Sequence, residues 1–87
     1  MNVAQQQVPN ARPMQGRLRG SVVFFCRERG WGFIRRDDGS DVYVHWQNCP
    51  VRDQEPKPRY LKAGELVTFE IGPGKTGSQA VAVEVIG

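Results

Sequence analysis

The stretch that decides the fold is Arg29-Gly30-Trp31-Gly32-Phe33-Ile34-Arg35-Arg36-Asp37-Asp38-Gly39-Ser40-Asp41-Val42-Tyr43-Val44-His45-Trp46. It reads as two strands around a tight turn, because Asp38-Gly39 tolerates the positive φ that hairpin turns require. Side chains alternate across a strand. Gly32, Ile34, Val42 and Val44 then share one face, aliphatic and suited to a core. Trp31, Phe33, Tyr43 and His45 share the other, ringed by Arg29, Arg35 and Arg36. Stability alone gives no reason to crowd flat rings and guanidinium groups onto an outer face. Single-stranded nucleic acid matches both features, since bases stack on rings and phosphates pair with arginines.

Upstream, Gly16 to Cys26 passes from small and basic residues to the β-branched and aromatic run Val22-Val23-Phe24-Phe25. That composition favours a strand. Strict alternation places Val22 and Phe24 on one face and Val23 and Phe25 on the other, both apolar, as in a strand that bends across two sheets of a barrel. Residues 1–15 are rich in Gln and Pro and show no periodicity. They are expected to form a disordered tail ahead of one domain over 16–87.

Downstream, residues 47–60 hold Pro50, Pro56 and Pro58 among mixed charges, which excludes a long helix or a central strand. A loop of this length is either functional or disordered. Arg52, Lys57, Arg59 and Tyr60 lie in it as candidate flanks of a bound strand. Two further strands follow. In Leu66–Ile71 the apolar positions are Val67, Phe69 and Ile71; in Ser78–Ile86 they are Val81, Val83 and Val85. Five short strands, no helical period and no internal repeat predict an all-β fold, a small antiparallel barrel, closed or nearly so.

A chain of 87 residues carries one small domain, which buries only about 60% of the surface its unfolded chain exposes. Its formal net charge is +3, unevenly spread: from Arg12 to Arg36 there are seven arginines against Glu28 alone. That asymmetry suits a polyanion, where an ordinary solvated surface would scatter the signs. Cys26 and Cys49 stand in no paired motif and read as free thiols in a reducing compartment. No long apolar run marks a signal peptide or a membrane span, so a soluble, cytoplasmic protein is expected.

Rival chemistries fit less well. Gly74-Lys75-Thr76 resembles the end of a phosphate-binding loop, but Phe69 stands where the first glycine belongs and a strand follows where a helix is needed. Cys26, His45 and Cys49 fall short of the four ligands of structural zinc. His45 has no recognisable nucleophile beside it. No enzyme activity, metal, cofactor or small-molecule substrate is therefore expected, and nothing demands more than a monomer. A protein-interaction barrel, using the rings to grip a peptide or subunit, is the alternative. Arginines around the rings fit phosphate better than an apolar groove.

Together these residues resemble the cold-shock domain, a five-stranded barrel of the OB type, from Gly20 to Val85. Arg29-Gly30-Trp31-Gly32-Phe33-Ile34 resembles that family's first ribonucleoprotein motif and Val42-Tyr43-Val44-His45-Trp46 its second. The resemblance implies a binder of single-stranded RNA and DNA with modest sequence preference, often one that melts RNA secondary structure. It implies a stacking surface of Phe24, Trp31, Phe33, Tyr43, His45 and Trp46, with Arg29 meeting phosphate. Phe24 and Trp46 need a bulge or a strand end to turn outward. The chain departs from the family pattern at Phe24 (usually Trp), Val23 (usually Lys), Cys26 (usually Asn) and Trp46 (usually Phe). Its loop from Pro50 to Tyr60 is also prolonged, with Tyr60 as a candidate loop aromatic.

Overall fold

Five runs enriched in β-branched and aromatic residues form β1 (Leu18–Cys26), β2 (Trp31–Arg36), β3 (Asp41–His45), β4 (Leu66–Gly74) and β5 (Gly77–Val85). The computed structural model describes residues 17–75 and 77–87. The tail expected over 1–15 lies outside them. β1 pairs with β2 and β4, β2 with β3, and β4 with β5, all antiparallel. A short parallel pairing, Tyr43 with Gln79 and Val44 with Ala80, joins β3 to β5 and closes the barrel in the order β1-β2-β3-β5-β4. The barrel is thus antiparallel at four of its five seams rather than throughout. Closure gives every strand of the barrel a neighbour on both sides.

The aliphatic face of the central hairpin supplies the core: Ile34, Val42 and Val44 pack with Val22, Val67 and Phe69 inside the barrel. Asp37 to Gly39 make the turn between β2 and β3, closed by Arg36 N–H to the Ser40 carbonyl at 2.7 Å. Gly39 alone takes positive φ there, at +92°. Asp38 accepts from the Ser40 N–H at 2.9 Å and from its hydroxyl at 2.6 Å, which holds the turn's exit.

Two bulges break the simple alternation. In β1 the register shifts between Val22 and Phe24, so Val22 points into the core while Val23 and Phe24 both point out. Strict alternation had put Phe24 on the Val22 face; the extra residue reverses it. Gly32 makes this possible. A Cβ there would lie 2.7 Å from the Phe25 Cα and well inside the radius of the Phe24 carbonyl oxygen.

The second bulge lies between the pairs Thr68–Glu84 and Glu70–Val81, where Phe69 faces both Ala82 and Val83. Ala82 takes φ +53° to make it. The phase of both strands changes across it. Phe69 and Val83 stay inside, Thr68 and Ala80 become buried, and Ile71, expected inward, turns out to 41% exposure. Arg17 fits over the distortion: it donates to the Thr68 hydroxyl at 3.2 Å, to the Thr68 carbonyl at 3.0 Å, and to the Ala82 carbonyl. It also pairs with Glu70 at 3.2 Å.

Cys26 and Cys49 are free thiols. Cys49 is buried, and its Sγ donates to the His45 carbonyl at 3.6 Å. Burial pushes its thiol pKa up to about 12, against the pull of Arg52 and Arg59.

Gly32→Ala forces backbone against backbone, and overpacking of this kind costs about 1–3 kcal/mol. Urea unfolding should show that loss as a lower midpoint. An unchanged midpoint would mean that the bulge does not rest on Gly32.

Candidate nucleic-acid interface

The hairpin register carries the site. Phe33 pairs with Tyr43 and Trp31 with His45, so all four side chains stand on the outer face of β2 and β3. The β1 bulge aligns Phe24 with Phe33 and adds its ring to the row. Trp31 is the hub: its ring centroid lies 5.5 Å from Phe24, 5.9 Å from Phe33 and 6.4 Å from Tyr43. Phe24 and Phe33 meet it edge to face at 72° and 87°, while Tyr43 lies nearly parallel at 24°. These are favourable aromatic geometries. Phe24 is 43% exposed and Phe33 37%.

β3 ends at His45, and a 3-10 turn over Trp46–Asn48 begins there. The Trp46 N–H donates to the Gly30 carbonyl at 2.9 Å, drawing the indole against the turn between β1 and β2. Gly30 has φ +82°, and a Cβ on it would lie 2.5 Å from the indole Cδ1. Trp46 stays 41% exposed, 5.6 Å from the His45 ring. His45 Nδ1 accepts the Gln47 N–H at 3.3 Å, which makes Nε2 the ring's donor. The strand end turns Trp46 outward as the bulge turns Phe24.

The cations divide. Arg35 borders the rings but forms a two-point ion pair with Asp41, at 2.8 and 3.2 Å. That pair raises the Arg35 pKa and lowers that of Asp41. Arg29 is exposed in the turn between β1 and β2 and forms no ion pair among the described residues. Arg17 and Arg27, two more members of the arginine-rich segment, are engaged in holding the chain together.

Arg27 organises the long loop. It donates to the Lys57 carbonyl at 2.8 Å, pairs with Asp53 at 3.2 Å, and lies 4.0 Å over the Tyr60 ring. Arg52 lies 5.3 Å from the same ring and grips Glu65 with two guanidinium nitrogens. Val51 bridges Arg59, and the Arg52 N–H donates to the Pro58 carbonyl at 2.7 Å. The loop is folded and pinned. Tyr60 is held by guanidinium groups within it, and the structure does not bring it against any ring of the platform.

Two recesses flank the rings. One, of about 500 Å³, is lined by Tyr43 and His45 together with Lys75 and Gln79. Lys75 and Gln79 were not singled out from sequence as site residues, because only the parallel seam between β3 and β5 carries them there. The other, of about 390 Å³, opens beside Trp46 between Arg29 and the loop at Lys57 and Arg59. Ser40 and Asp41, the hydroxyl and the carboxylate that precede His45 along the chain, are committed elsewhere: the Ser40 hydroxyl donates to Asp38, and Asp41 binds Arg35. Cys49 faces the His45 main chain rather than its ring.

A closed five-stranded OB-type barrel with flat side chains gathered on β1 to β3 defines a small nucleic-acid-binding class. The family model described as 'Cold-shock' DNA-binding domain matches residues 18–86, and the chain belongs to that family. It is 42% identical over 69 residues to a cold shock-like protein of Thermotoga maritima, covering 79% of this chain and 98% of the relative. It is 42% identical over 65 residues to cold shock protein CspB of Bacillus caldolyticus and 37% identical over 65 to cold shock protein CspC of Bacillus subtilis. Each of those covers 75% of this chain and 92% of the relative.

The pin between loop and barrel is sensitive to acid. Hydrogen bonds from Arg52 hold the Glu65 carboxyl below the usual carboxylate range, aided by the Lys62 N–H at 2.8 Å. Its contribution to stability is complete above the unfolded-state value of about 4.3 and is lost as pH falls through the lower folded value. Glu65→Gln should therefore be less stable than the parent at pH 7, with the gap narrowing toward pH 3 in urea melts. A gap of constant size across that range would contradict the pairing.

Proposed function

We propose that the outer face of β1 to β3 binds single-stranded RNA or DNA with low sequence specificity. Phe24, Trp31, Phe33, Tyr43, His45 and Trp46 stack bases, and Arg29 meets phosphate. The observation that carries this reading is the aromatic row around Trp31, with Phe24 and Phe33 exposed and Trp31 and Tyr43 half-buried, standing outside a barrel that has its own aliphatic core. Arg35 takes part by exchanging Asp41 for a phosphate. Tyr60 contributes by stiffening the loop.

Stacking needs an unpaired base, so the surface takes open strands over duplex. A protein that binds only the open form shifts the equilibrium toward melting, without ATP. That is the work of an RNA chaperone, or of a regulator that keeps a transcript open during transcription or translation. A cytoplasmic monomer suffices for it. No helix among the described residues is long and apolar enough to cross a membrane.

Phe33→Ala removes one stacking surface and should weaken binding of a short unpaired oligonucleotide by about 1–3 kcal/mol, with an unchanged melting temperature. Equal affinity in the folded variant would count against the platform. Neutralising about three to five phosphates should give a slope of about −2 to −3.5 in log affinity against log salt. A salt-insensitive complex would favour a peptide or subunit as the partner.

A further inference from the structure

The recess beside Trp46 has a lining that phosphate binding alone does not explain. Alongside Arg29, Lys57 and Arg59 it carries two carboxylates, Glu28 on the turn between β1 and β2 and Glu55 on the long loop. Both are exposed, and neither forms an ion pair among the described residues. Carboxylates next to a track for a polyanion repel the backbone. They favour a ligand only where it presents hydrogen-bond donors, because an ionised carboxylate accepts and never donates.

Among the bases, guanine alone offers two adjacent donors, N1–H and the N2 amine, spaced to meet both oxygens of one carboxylate. Uracil and thymine present a single N–H between two carbonyl oxygens, which a carboxylate opposes. Adenine and cytosine present one amine beside a ring acceptor. The recess, at about 390 Å³, falls in the range of small-ligand sites and has the exposed Trp46 indole in its lining as a stacking surface. Its walls are preformed, since Arg27 ties the turn to the loop through the Lys57 carbonyl and Asp53.

We propose that this recess is a guanine-selective subsite: the base stacks on Trp46, its N1–H and N2 amine donate to Glu28 or Glu55, and Arg29, Lys57 and Arg59 hold the adjoining phosphates. The proposal rests on the single-strand reading of the platform and gives an otherwise tolerant surface one selective position.

The test is a set of binding titrations with short oligouridine in which one uridine at a time is replaced by guanosine, inosine or adenosine. The protein is compared with the double variant Glu28→Gln, Glu55→Gln, whose fold is checked by thermal melting. At one position guanosine should bind at least about five-fold tighter than uridine, in line with a good bidentate contact. Inosine, which lacks the N2 amine, should lose most of that gain. In the double variant the guanosine-to-uridine ratio should fall to near one, even though removing negative charge tightens binding of every strand. Oligouridine binding with no guanosine preference at any position would overturn the subsite and leave the platform standing. A preference that survives in the double variant would likewise overturn it. Failure of every strand to bind would overturn the single-strand reading and the subsite with it.

Discussion

A slip of one residue in the pairing of β2 with β3 would turn β3 over against β2, burying Tyr43 and His45 and pushing Val42 and Val44 into water while Ile34 stayed inside. The period of a strand is two, so one register decides both faces at once. Here the aliphatic side chains inside the barrel hold the register, and the rings outside are placed as a consequence. Core packing and the proposed binding surface are therefore two faces of the same hairpin. Substitutions that loosen the core should disturb the platform even where they touch no ring.

The platform extends past the hairpin through two close approaches of the backbone. Gly32 admits the β1 main chain, which lets the bulge at Val23 turn Phe24 outward. Gly30 admits the Trp46 indole at the point where β3 gives way to a 3-10 turn. Both ends of the aromatic row thus depend on the absence of a side chain.

The hairpin, its turn, the inward aliphatic set and the five strands were legible in the sequence, because each is signalled by residues close together along the chain. Phe24 and Trp46 were legible only with the help of a family resemblance, since strict alternation misplaces Phe24. The phase change at Phe69 was not legible: it comes from Ala82 adopting φ +53° on another strand, with Arg17 satisfying the exposed carbonyls. The parallel seam between β3 and β5 was hidden for the same reason, and with it the place of Lys75 and Gln79 beside Tyr43. The role of each charge was not legible either: within the arginine-rich segment Arg17 braces a bulge, Arg27 pins a loop and Arg35 pairs with Asp41, because their partners lie on distant parts of the chain or across the hairpin.

The long loop is tied to the barrel by its own side chains. Arg27 and Arg52 bind it through Tyr60, Asp53 and Glu65, and the result is a wall beside Trp46 rather than a loose strap. The central claim, that exposed rings take unpaired bases, is tested most directly by following tryptophan fluorescence while adding one oligonucleotide first alone and then annealed to its complement. The account predicts quenching and saturable binding by the free strand and at least about ten-fold weaker binding by the duplex, since each lost stack removes about 1–3 kcal/mol. Equal affinity for the two forms would contradict it.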